Sequence, residues 1–263
     1  MVLKFAANIT TMVKDVALTS RYALFKDLGF RAVECQFPYD VPVEEIQRSK
    51  NDAGVEHVLI NSFPGDLSKG QLGFAALPGH ENDFIHSMEL TLTYARALGC
   101  KKIHVMAGVT ADGSNATQCE DVYIKNLTKA AEMLERENII GVIEPLCKEV
   151  KQNYFLNSYA QGKKYVTQIN HKNIRLLLDV FHMQMISGNL TNTIKDIMPI
   201  VGHVQISQAP NRHEPNAPGE INYCYVLDLI NDHGYEDWIG LEYFPKSTTV
   251  ESMSWLKEFG YAL

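Results

Sequence analysis

The chain has 263 residues with 24 basic and 31 acidic side chains, a formal charge of −7 that argues against a nucleic-acid partner. A content of 46% hydrophobic, 10% aromatic and 21% charged residues is that of a folded protein with a substantial core, and excludes disorder as its main character. The length suits one domain, since α/β barrels commonly use about 250 residues as a single unit.

In chain order, Met1 to Thr10 contains Lys4 and Asn8 and lacks the apolar core of a signal peptide. A first strand is expected at Leu3–Ala7, then a helix opened by Thr19-Ser20 and ending at Leu28-Gly29. Strands follow at Ala32–Cys35 and Val55–Ile60, and a helix at Glu81–Leu98 closes on Gly99 as its C-cap. A strand at Lys102–Met106 precedes a helix at Ala116–Glu137 with Leu127, Ala130, Ala131 and Leu134 on one face. The remaining strands are Ile139–Ile143, Ile174–Leu178, Val201–Ile206 and Ile239–Leu241, before a last helix near Val250 to Phe259. The strand starts lie about 34 residues apart, the size of a strand plus crossover helix, and such crossovers make parallel neighbours. Eight repeats predict an α/β fold, a (β/α)8 TIM barrel forming a single domain over residues 1–263. Irregular stretches at Asn61–Gly79, Cys147–Asn157 and Ser207–Glu220 follow strands three, five and seven and are expected to share one face.

No uncharged apolar run approaches the roughly 18 residues needed to cross a bilayer. The cysteines at 35, 100, 119, 147 and 224 are odd in number and form no C-x-x-C pair, which fits neither a disulfide framework nor a thiolate zinc site. The expectation is a soluble cytoplasmic protein without a membrane partner.

Four apolar runs end in a polar residue: Glu144, Asp179, Gln205 and Glu242. A carboxylate adds nothing to β propensity, and burying it is costly unless it is paired, hydrogen-bonded or metal-bound. In a barrel the C-terminal strand ends converge on one mouth, so these residues from strands five to eight would surround one point. An all-oxygen set suits a hard divalent cation, Mg²⁺ or Mn²⁺, although carboxylate-rich sites also accept Zn²⁺ or Co²⁺. Each acid taken alone could equally cap a helix or pair with a surface base.

Several segments carry a resemblance: Lys4-Phe5-Ala6-Ala7-Asn8, Gly73-Phe74-Ala75-Ala76-Leu77-Pro78-Gly79, Glu144-Pro145, Asp179-Val180-Phe181-His182, Gln205-Ile206, Arg212-His213-Glu214-Pro215, Gly219-Glu220-Ile221-Asn222-Tyr223 and Gly240-Leu241-Glu242-Tyr243. Over nearly its full length the chain resembles the hydroxypyruvate isomerase family, within the xylose-isomerase-like barrels that also include ketose 3-epimerases and endonuclease IV. The resemblance implies isomerisation of hydroxypyruvate to tartronate semialdehyde through an enediolate, with no redox cofactor. It implies Glu144, Asp179, Gln205 and Glu242 as metal ligands, with Glu144 and Glu242 as the acid/base pair. His182 is a candidate for a substrate oxygen, or else a residue that supports the ligands. Arg212 offers a planar fork for the substrate carboxylate, the alternative being a loop salt bridge to Glu214. His57 and His104 are expected to be core histidines, although the place of His104 in the fourth strand allows either a barrel-interior or a mouth position; Asn8 and Asn61 would orient substrate or hold their own loops.

The sequence departs from the family in placing Cys147 where Asn is usual, and Gln152-Asn153-Tyr154-Phe155-Leu156 where a Pro/Gly-Tyr-Phe-Leu motif stands. Val13 replaces a common aromatic. These changes bear on substrate preference, not on the ligand set. Among alternatives, a ketose 3-epimerase or sugar isomerase would use the same centre but with histidine at the position of Gln205, an endonuclease would need more histidines and a basic surface, and a catalytically silent barrel would bind a metabolite or partner. The partner expected is a small molecule, hydroxypyruvate or a related keto acid or ketose; the sequence leaves the oligomeric state open.

Overall fold

A computed structural model of the chain describes residues 3–263. Eight strands, β1 (Lys4–Asn8), β2 (Ala32–Cys35), β3 (Glu56–Asn61), β4 (Lys102–His104), β5 (Ile140–Ile143), β6 (Ile174–Asp179), β7 (Val201–Ile206) and β8 (Trp238–Leu241), pair in parallel and in sequence order. β1 pairs with β8, Ala6 opposite Gly240 and Ala7 opposite Leu241, so the sheet closes and no edge is left open. The helices outside it are α1 (Leu18–Asp27), α2 (Val43–Ala53), α3 (Glu81–Leu98), α4 (Ala116–Glu135), α5 (Tyr159–Ile169), α6 (Val180–Ile186), α7 (Leu190–Ile197), α8 (Tyr223–Asp232) and α9 (Ser254–Glu258). The expected (β/α)8 architecture is the observed one. No helix among the described residues is long and apolar enough to cross a membrane.

Local chemistry explains the boundaries. α3 ends where expected, on Gly99 in the left-handed conformation with its N–H bonded back to Ala95 and Arg96 carbonyls. α4 is capped by the Asn115 side chain and buries Leu127, Ala130, Ala131 and Leu134. The strand expected over Lys102–Met106 stops at His104, because beyond it the backbone turns to the segment after β3: Ala76 N–H donates to the Ala107 carbonyl (2.7 Å) and Ala75 N–H to that of Met106 (3.4 Å). The expected final helix divides into a 3₁₀ turn at Glu251–Met253 and α9, whose Trp255 meets Phe5 of β1 edge to face.

Side chains alternate across each strand. Phe5, Ala7, Ile103, Ile143, Leu176, Leu178, Val204, Ile206, Ile239 and Leu241 join the main core beneath the helices, whereas Ala6, Ala32, Val142 and Leu177 form a separate apolar cluster within the barrel. The phase that points inward therefore continues to Asn8, Glu34, His104, Glu144, Asp179, Gln205 and Glu242, all buried.

Candidate active site

Strand phase and strand direction together bring the predicted residues to one place. Asp179 ends β6, Gln205 is the penultimate residue of β7, and Glu144 and Glu242 follow directly on β5 and β8. Glu144, Gln205 and Glu242 line a cavity of about 130 Å³ with Gln36, Asn61, His104, His182 and Arg212, and Asp179 is tied to it through Arg212. Asp179 also caps α6 by accepting the Phe181 N–H at 2.8 Å, so helix capping and site membership coexist in one residue.

Arg212 does not pair with Glu214, whose carboxylate instead accepts the Lys246 N–H. A single guanidinium nitrogen, Nη2, donates to Asp179 Oδ2 at 3.0 Å and to Glu242 Oε2 at 2.8 Å. The arginine is held in place by backbone of unusual geometry: its φ is +55°, its N–H donates to the Gln208 carbonyl and its carbonyl accepts from Phe244 N–H, both at 2.7 Å. The Phe181 ring lies 4.8 Å from the guanidinium carbon. Its Nε is buried without a partner among the described residues.

The acids are not equivalent. Burial raises the Glu144 carboxyl well above the ordinary range, and the charges of Glu242 and Asp179 add to this. Burial also raises Asp179, to about 7, and Glu242, but Arg212 opposes both shifts. Glu242 is further held by a hydrogen bond from the Gln36 amide.

His182 Nδ1 accepts the Cys147 N–H at 3.0 Å, which puts the proton of a neutral ring on Nε2. That nitrogen lies 3.8 Å from both Glu144 Oε1 and Asp179 Oδ2. Because the contact uses the backbone of residue 147, the replacement of Asn by Cys leaves it intact; the Cys147 sulfur sits 3.2 Å from the same ring nitrogen. His104 corrects its expected core assignment: it is the final inward residue of β4, 3.3 Å from Glu144 Oε2, and lines the cavity. His57 is a core histidine as expected, buried beside the Tyr22 hydroxyl at 3.1 Å. Asn61 lines the cavity, while Asn8 holds its own loop through Thr10 and Thr11 N–H groups and donates to Glu34.

Glu34, Gln36 and His203 were not among the sequence candidates. Glu34 sits inside the barrel, accepting from Asn8 (2.9 Å) and Gln205 (2.7 Å) on one oxygen and meeting His203 Nε2 at 2.8 Å on the other. The only hint of it in the sequence is a charge inside the apolar run Ala32-Val33-Glu34-Cys35.

The residues present fit a divalent cation. Three buried carboxyl groups stand against one guanidinium, so a divalent cation would compensate the negative charge that the arginine leaves when they ionise. Glu144 Oε1 and Gln205 Oε1 are buried with no hydrogen-bond partner among the described residues. Glu144, Asp179 and His182 have ligand atoms within 4.8 Å of one another, and Arg212 Nη2 already bridges Asp179 and Glu242 as a positive centre.

A parallel eight-stranded barrel with acids gathered at its C-terminal mouth defines the class to which the chain is compared. The sequence profile of the xylose isomerase-like TIM barrel family matches residues 22–259, and the chain belongs to that family. It is 39% identical to a putative hydroxypyruvate isomerase of Danio rerio, over 98% of this chain and 95% of that protein. It is 36% identical to a 2-oxo-tetronate isomerase of Haemophilus influenzae, over 97% of this chain and 99% of that one. A crystal structure described as AP endonuclease, family 2, from Brucella melitensis superposes with a TM-score of 0.94 at 35% identity, covering 97% of this chain and 98% of that chain.

Proposed function

We propose that the protein is a metal-dependent isomerase, an intramolecular oxidoreductase that interconverts hydroxypyruvate and tartronate semialdehyde. The observation that carries this is the pair of buried glutamates, Glu144 and Glu242, that face one small cavity together with Gln205 and Arg212. Two carboxyl groups on one cavity are what a reaction needs when one must take a proton and the other return it. The names of the relatives support it, and a 2-oxo-tetronate isomerase among them extends the substrate class to a four-carbon 2-oxo acid. A cavity of about 130 Å³ admits an acid of that size more readily than a hexose.

In this reading Glu242, ionised beside Arg212, takes the proton from carbon 3 of hydroxypyruvate. Glu144 delivers one to carbon 2 on the other side of the enediolate. The hydroxyl proton passes from the oxygen on carbon 3 to that on carbon 2, restoring the carbonyl one carbon along. His182 Nε2–H binds a substrate oxygen, and the free edge of Arg212 binds the carboxylate. Glu144, Asp179, Gln205 and Glu242 would hold Mg²⁺ or Mn²⁺. That ion supplies positive charge that stabilises the enediolate. A net charge of −7 favours a small-molecule substrate over DNA. A cytoplasmic setting accords with the five free cysteines.

Incubation of Mn²⁺-loaded protein with hydroxypyruvate in heavy water tests this: one deuterium per turnover is expected at carbon 2 of tartronate semialdehyde, and a chelator should abolish it. Glu144→Gln and Glu242→Gln should each lower turnover by roughly 10²-fold. Near-native turnover of either variant with saturating Mn²⁺ would remove that glutamate from proton transfer.

A further inference from the structure

Beneath the mouth the barrel interior holds a chain of polar groups that spans it from end to end. At the N-terminal end, Asp237 precedes β8 and its Oδ2 lies 2.6 Å from Lys102 Nζ, at the start of β4. Lys102 Nζ reaches His203 Nδ1 at 3.3 Å, His203 Nε2 reaches Glu34 Oε2 at 2.8 Å, and Gln205 Nε2 donates to Glu34 Oε1 at 2.7 Å. Lys102, His203, Glu34 and Gln205 are all buried. β8 makes room by carrying Gly240, where a Cβ would stand 2.3 Å from Glu34 Oε2.

The donor and acceptor roles along this chain follow from one end. An ammonium group only donates, so Lys102 makes His203 Nδ1 an acceptor. The imidazole proton then sits on Nε2 and is donated to Glu34. Both Glu34 oxygens become acceptors, one for His203 and the other for Asn8 and Gln205. A Gln205 amide turned the other way would set its oxygen against the Glu34 carboxylate. With its nitrogen held below, Gln205 Oε1 must face the mouth, and it is there that it lies buried without a partner among the described residues.

We propose that Glu34 is a positioning residue that fixes the Gln205 amide with its oxygen toward the catalytic cavity, and that Lys102, at the opposite end of the barrel, sets this orientation through His203. Its consequence for cation binding rests on the metal reading above; the orientation itself does not. Orientation of a ligand by an outer hydrogen-bond partner typically changes metal affinity 10- to 100-fold.

Two measurements separate the claims. In metal-free protein, the side-chain amide of Gln205, assigned by its loss in Gln205→Ala, should give one proton shifted downfield and protected from exchange. Glu34→Gln should abolish that signature, and Lys102→Met should shift it. A wild-type amide resonance with ordinary shift and fast exchange overturns the proposal. If Glu34→Gln does not fold, an unchanged resonance in Lys102→Met overturns the relay. For Mn²⁺ titrated into each protein, Glu34→Gln should weaken binding about tenfold or more in the wild-type background and not at all in Gln205→Ala, whereas a merely structural role for Glu34 would give equal losses in both and overturn the assignment. A wild type with the amide signature but no Mn²⁺ uptake would support the orientation and reject the metal reading.

Discussion

At the scale of single residues, Arg212 Nη2 bridges Asp179 and Glu242. In the proposed reaction the rest of its guanidinium would take the substrate carboxylate as well. Charge-assisted contacts of this kind contribute about 1.5–3 kcal/mol, or roughly ten- to a hundredfold in kcat/KM. Arg212→Ala should therefore impair hydroxypyruvate more than any neutral ketose, with Arg212→Lys between them, since lysine restores charge without the fork. The same substitution removes the group that opposes the upward shift of Glu242, so the acidic limb of the kcat/KM profile, set by protonation of that base, should also move to higher pH. Equal losses on acid and neutral substrates would leave Arg212 only its bridge between the two carboxylates.

Elements carry the site because strand ends and their loops interlock. The segment after β3 is tied to the segment after β4 by an isolated bridge between Gly73 and Ala107, and the Asn126 amide of α4 anchors the Ala75 carbonyl at 2.9 Å. Gly73 has φ +92°, and a Cβ there would stand 2.4 Å from the Met106 carbonyl oxygen. Gly73→Ala should destabilise the fold by about 1–3 kcal/mol and raise KM, because Leu72 and Met106 on either side of the contact line the cavity. Thermal unfolding and initial-rate kinetics would check it; an unchanged melting temperature would contradict the close approach. The eight strands were legible because each is an apolar run at nearly constant spacing, and Glu144, Asp179 and Glu242 because each ends such a run. The inner polar layer was not. A strand of four to six residues gives too few alternations to distinguish an inward Glu34 or His203 from an outward one until register is known. α6 and α7, with seven and eight residues, are shorter than the window in which helical periodicity declares itself.

For the molecule as a whole, the interior combines neutral histidines with acids whose protons are held more tightly than usual, and these two populations pull stability in opposite directions as pH changes. Burial lowers His57 and His104 to about 3 and places His182 and His203 well below their usual value. The unfolded chain takes up these protons below about 6.5 and the native state does not, so each histidine contributes stability that is present above that pH and lost as pH falls toward 3. Glu34 and Asp179, raised to about 7 by burial, act the other way: the native state binds their protons more tightly, and stability declines as pH rises from the ordinary carboxylate range to 7. His57 isolates one side of this balance because it lies on β3 against Tyr22, away from the acids of the mouth. His57→Asn keeps a polar side chain able to donate to or accept from the Tyr22 hydroxyl and removes the titrating group. Urea unfolding of the two proteins between pH 6.5 and 5 should then show the wild type losing stability relative to the variant by up to roughly 1.4 kcal/mol per pH unit as the solution is acidified. The carboxylate contribution is common to both and cancels in the difference. A difference that stays flat with pH, or that opens in the opposite direction, would mean that His57 is protonated in the native barrel.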